Sequence, residues 1–133
     1  MQYTERTIKD SVATISEADA KTVCVKNAKK ISIIIRRSEH NSGSSVAKVY
    51  IAMSDGETAS PYVQYKKLIV NQINSNSQTK ERVDSVTLAA NGTALYTVDP
   101  DDCFDFIKVA MTRVTDGKNN VWVCVDYGDQ QEK

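Results

Sequence analysis

A chain of 133 residues with 17 basic and 17 acidic side chains carries no net charge. That sets aside nucleic-acid binding as its main work, because phosphate contacts need a basic surplus. The length suffices for one domain with a full apolar core, no apolar run reaches the length of a membrane span, and the polar Met1–Arg6 is unlike a signal peptide.

In chain order, Met1–Asp10 has little apolar content and reads as an N-terminal arm or a frayed first strand. Val12–Ile15 is a weak strand, and Ser16–Asp19 reads as a turn in preference to a short helix. Thr22–Val25 is a short strand. Ile31–Arg37 is a clear one, with Ile31, Ile33 and Ile35 on one face. Lys26, Lys29, Lys30, Arg36 and Arg37 are close in sequence, but alternation scatters them over both faces. Ser38–Ser45 is a polar loop, followed by strand Val46–Met53. There Val49, Ile51 and Met53 share a face opposite Lys48 and Tyr50. Loop and flanking strands are expected to form a hairpin, and Ser54-Asp55-Gly56 a turn.

Tyr62–Ile73 has near-helical spacing after Ser60-Pro61, yet Val63, Val70, its aromatic content and its strand-rich neighbours favour an extended chain. Asn74–Lys80 is a polar loop. Val83–Ala89 and Ala94–Val98 are strands, and Asn91-Gly92 between them signals a hairpin. Asp99-Pro100-Asp101-Asp102 breaks the sheet. Phe104–Tyr127 then reads as the hairpin around which the rest is organised. Ile107, Val109 and Met111 alternate on its first arm and Val121, Val123, Val125 and Tyr127 on its second, with Asp116-Gly117 between. Gly128–Lys133 is a charged tail, expected to be disordered. Short, evenly spaced strands joined by Gly, Asn and Asp turns indicate an all-β sandwich or barrel, and of these we expect an antiparallel β-sandwich of jelly-roll or immunoglobulin-like type. It is expected as a single domain over residues 11–127, between an arm (1–10) and a tail (128–133).

Residue types that could carry chemistry are few. Three cysteines, Cys24, Cys103 and Cys124, leave at least one thiol unpaired in a monomer. Cys24 and Cys124 sit among valines, as buried thiols do. This suits a reducing compartment without a disulfide framework. The sole histidine, His40, is expected to be an exposed loop residue, with no Gly-x-Ser-x-Gly elbow in the chain. Zinc would need Cys24, Cys103, Cys124 and His40 together, without any Cys-x-x-Cys pair. Asp99, Asp101, Asp102 and Asp105 could hold calcium, but aspartates also collect in turns for conformational reasons. Asn91-Gly92-Thr93 fits a glycosylation acceptor, though the turn explains it better. Tyr3, Tyr50, Tyr62, Tyr65, Tyr96, Tyr127 and Trp122 offer stacking surface or half-buried packing. No catalytic, cofactor-binding or metal-binding residue is assigned, and no cofactor is expected.

Three stretches carry a resemblance: Tyr50–Gly56, Tyr65–Asn71 through Gln78–Val83, and Phe104–Gly117 ending in Thr115-Asp116-Gly117. In this order, over Ile31 to Val125, the chain resembles small β-sandwich structural proteins of tailed bacteriophages, of the capsid decoration or head-stabilising kind. The resemblance implies a non-enzymatic virion protein made in the host cytoplasm. Its partner would be the major capsid protein and its state a homo-oligomer, with no nucleic acid or membrane partner. The alternative is a carbohydrate-binding or adhesin-like module that uses aromatic residues on one sheet.

Overall fold

The computed structural model describes residues 2–12, 20–53, 61–70, 81–99, 102 and 104–127, with residues 2–12 and 81 described by their backbone. The expected turns at Ser16–Asp19 and Ser54–Gly56, the Asn74–Lys80 loop, Asp101, Cys103 and the 128–133 tail lie outside the described residues. Within them there are eleven strands and no helix. The strands are β1 (Gln2–Val12), β2 (Val23–Cys24), β3 (Lys30–Ser38), β4 (Gly43–Ala52), β5 (Val63–Tyr65) and β6 (Leu68–Val70). They continue with β7 (Glu81–Val83), β8 (Val86–Leu88), β9 (Gly92–Val98), β10 (Phe106–Thr115) and β11 (Lys118–Asp126).

One sheet has the order β1-β11-β3-β9-β6-β7; the other has β2-β10-β4-β5, with β8 also paired to β4. The described pairings are all antiparallel. The alternating apolar residues of both sheets meet in one core. Ile33 and Val123 from one sheet and Ile107, Val109 and Met111 from the other are completely buried there. Burying a side chain of this size stabilises by about 1.5–3 kcal/mol. The architecture is the antiparallel β-sandwich that the alternation predicts.

The connectivity differs from the prediction. Among the described strands only β4–β5 and β6–β7 follow one another within a sheet; every other successive pair changes sheet. The three predicted hairpins, β3–β4, β8–β9 and β10–β11, are therefore arches. Their arms face each other through side chains across the core instead of pairing edge to edge. β10 pairs with β4 and β2, whereas β11 pairs with β3 and β1. The turn conformations agree. A type I′ hairpin needs positive φ at two successive residues. Here Thr115 (φ 79°) and Gly117 (φ 105°) are positive on either side of Asp116, and neither Asn91 nor Gly92 is.

Two further segments divide in the same way. Tyr62–Ile73 is extended where described, but β5 and β6 lie in opposite sheets with Lys66-Lys67 crossing between them. Val83–Ala89 splits into the last residue of β7 and the whole of β8. The segment expected as an arm or a frayed strand is edge strand β1, paired with β11 from Gln2↔Asp126 to Val12↔Asn119. An edge strand is held by backbone hydrogen bonds, so sparse apolar content does not prevent it from forming. Met53, expected on the inward face, is 61% exposed just past the end of β4.

Candidate functional site

Each inward apolar run that leads into the β3–β4 and β10–β11 arches ends in a polar residue of the same parity. Arg37 follows Ile31, Ile33 and Ile35; Ser45 precedes Ala47 and Val49; Arg113 follows Ile107, Val109 and Met111; Asn119 precedes Val121 and Val123. Alternation thus places a polar layer at one end of the core. Arg37, Ser45 and Asn119 are buried in it.

Arg37 is its hub. Its Nη1 donates to Ser45 Oγ (2.5 Å) and its Nη2 to the Ser42 carbonyl oxygen (3.0 Å). Nε and Nη2 both donate to His40 Nδ1 (3.1 and 3.0 Å), and Nη2 lies 3.5 Å from Asp116 Oδ1. A guanidinium cannot accept, so His40 Nδ1 is the acceptor and the ring proton sits on Nε2. The Asp116 carboxylate crosses between arches, accepting the backbone N–H of Asn41 (2.9 Å) and Ser42 (3.1 Å). Those two bonds foremost, and then Arg37, hold its pKa below the ordinary carboxylate value. Asn91 in the β8–β9 arch accepts the His40 N–H through Oδ1 at 2.8 Å. Three arches are thus tied together by one guanidinium, one carboxylate and one amide.

This geometry is not that of a hydrolytic triad. Such a histidine donates from Nδ1 to a carboxylate, whereas His40 Nδ1 receives the guanidinium. Cys24 is far away, because its β-partner Phe106 and the arch residue Thr115 mark opposite ends of β10, about 30 Å apart at the rise of an extended chain. His40 is half-buried rather than the exposed loop residue expected. Cys24 is exposed and Cys124 half-buried, which corrects the reading of both as core thiols. The valines beside them take the inward parity, so the cysteines face out.

Two of the turn aspartates weighed above for calcium, Asp99 and Asp102, take part in a structural corner. Tyr65, 4% exposed, donates from its hydroxyl to Asp102 Oδ2 (2.8 Å) and accepts the Asp99 N–H (3.1 Å). Burial is the main cause that pushes this phenol up to about 12. Among the described residues no group of three or more His, Cys, Asp or Glu side chains could hold a metal. A shallow depression of about 300 Å³ beside this corner is lined by Ile51, Gln64, Tyr65, Lys66, Lys67 and Asp102. Phe104, Tyr96 and Tyr127 pack in or against the core, whereas Trp122, Phe106 and Tyr50 lie on outer faces of the sheets. Trp122, Ile34 and Leu95 form one row across β11, β3 and β9, with Arg36 5.5 Å from the Trp122 ring. On the other sheet Phe106 and Tyr50 face outward, and Lys108 Nζ lies 4.2 Å over the Tyr62 ring.

Fold and site together define an antiparallel β-sandwich with a dense polar cluster at one end of its core, in which Arg37 is matched by contacts within the chain. Neither a protein-family model nor a curated protein matches the sequence. In fold it is similar to the crystal structure of SPBc2 prophage-derived protein YomS, at a TM-score of 0.62 and 17% identity, over 94% of this chain and 92% of that one. At that identity the likeness is one of fold.

Proposed function

We propose that the protein is a non-enzymatic structural protein of a bacteriophage particle that binds and stabilises the assembled capsid. The observation that carries this reading is the likeness of nearly the whole chain to a prophage-derived protein of nearly the same extent. The arch-end cluster supports it, since its strongest polar groups serve the scaffold and its cation is fully buried. A protein that reinforces a shell needs rigidity and outward surface, which two sheets with half-buried apolar and aromatic side chains on their outer faces supply. The absence of net charge suits dense packing of copies on a lattice. In this reading the partner is the major capsid protein, the chain is a homo-oligomer, and it is made in the host cytoplasm and carried in the virion.

The alternative, a carbohydrate-binding or adhesin-like module, would use Phe106, Tyr50 and Tyr62. It is the weaker reading because the Lys108 ammonium already covers one face of Tyr62. The test is sedimentation of purified full-length protein with capsids of its phage. Co-sedimentation at a fixed ratio to the major capsid protein is the expected result. Failure to sediment with those capsids would sink the decoration reading.

A further inference from the structure

Asn91-Gly92 has the sequence of a type I′ hairpin turn but not its conformation, because neither residue is at positive φ. Space does not demand the glycine either: a Cβ on Gly92 would meet nothing within 4 Å. Neither conformation nor space explains the glycine, and Asn91 has its own structural contact to His40; the dipeptide as a pair adds the chemistry of an exposed Asn-Gly bond. Both residues are exposed. Without a Cβ beside it, the Gly92 nitrogen has the least hindered approach to the preceding side-chain amide. The Asn91 amide is also held, since the His40 N–H donates to Oδ1 at 2.8 Å. A donor at that distance is placed to stabilise negative charge as it develops on this oxygen.

We infer that Asn91 is a site of spontaneous deamidation in the folded protein, assisted by the His40 backbone N–H. The Gly92 nitrogen attacks Asn91 Cγ, forming a C–N bond and losing its proton, and Oδ1 takes up the electron pair of the C=O bond. Collapse of this tetrahedral carbon expels the side-chain nitrogen, which leaves as ammonia with the displaced proton. Water then opens the resulting succinimide. Opening at Cγ gives aspartate; opening at the main-chain carbonyl gives isoaspartate, whose chain runs through the former side chain. Either product adds a carboxylate next to the Glu39–Asp116 end of the molecule. Isoaspartate also lengthens the backbone where Gly92 pairs with Arg37. The tie between the β8–β9 and β3–β4 arches is the contact that loosens.

Peptide mapping tests this cleanly, because the tryptic fragment Val83–Lys108 contains Asn91 as its only side-chain amide. Full-length protein aged at mildly alkaline pH is compared with the same protein aged in urea. The expected result is conversion at Asn91 in the folded chain at least as fast as in the unfolded one, abolished or strongly slowed in Gly92→Ala. The open space at Gly92 lets that variant fold, and a thermal melt confirms it. Isoaspartate-containing protein should melt below fresh protein. Conversion in urea without conversion in the folded chain would overturn the inference. So would equal rates in folded wild type and Gly92→Ala.

Discussion

A guanidinium with no exposure at the end of an apolar core is costly unless its donors are matched. Arg37 meets that condition through His40, Ser42 and Ser45, with Asp116 as the counter-charge. Asp116 in turn depends on its charge, since the Asn41 and Ser42 N–H groups and Arg37 all favour the carboxylate. Its folded pKa is depressed, so its stabilisation is complete above the ordinary carboxylate value of about 3.9 and is lost as pH falls through the folded value. Asp116→Ala should therefore melt below wild type at neutral pH, and the gap should close in acid. Melting curves of the two proteins across that range measure it. A gap that stays constant below the ordinary value would mean that the carboxylate charge contributes nothing. The polar layer was partly legible beforehand, because Arg37, Ser45, Arg113 and Asn119 occupy inward positions in their runs. Which partners they meet depends on chain crossings that alternation does not encode.

At the scale of elements, strand positions were readable because β-branched side chains at every second residue leave few other conformations. Ile31–Arg37 lies within β3, and Phe106–Thr115 and Lys118–Asp126 reproduce the two alternating arms. Pairing was not readable. Asp-Gly between two apolar arms suits a hairpin and an arch equally, because both reverse the chain and both bury one face of each arm. The difference is whether the arms share an edge or a core, and distant strands decide that: β4 and β2 take the edges of β10, while β3 and β1 take those of β11. The arch nevertheless makes its own demand at Gly117. Its φ is +105°, and a Cβ there would lie 2.5 Å from Arg37 Nη1. Gly117→Ala should cost about 1–3 kcal/mol from backbone conformation alone, with displacement of Arg37 added. Chemical denaturation of Gly117→Ala beside Gly92→Ala, where neither constraint applies, separates the two demands from a general glycine effect. Equal stability of the two variants would show that Arg37 does not depend on the arch glycine.

Across the whole molecule, the two ends of the described chain meet: Gln2 pairs with Asp126, and β1 runs beside β11 to Val12↔Asn119, with register shifts on either side of Ile8. β11 supplies the fully buried Val121, Val123 and Val125 and is held between β1 and β3. Removing residues 1–9 would leave most of one β11 edge without backbone partners, at about 0.5–1.5 kcal/mol for each hydrogen bond. The truncated protein should therefore melt at a clearly lower temperature and lose cooperativity, because the core strand it uncovers is shared by the whole sheet. The reading of Met1–Asp10 as an arm gives the opposite expectation, an unchanged melt with weaker capsid binding. Thermal melts of full-length and truncated protein, each followed by sedimentation with capsids, distinguish the two. A lower melt identifies β1 as part of the scaffold, and any loss of capsid binding then follows from that destabilisation. An unchanged melt would show that β1 does not hold β11, and it would return the segment to the role of a docking arm.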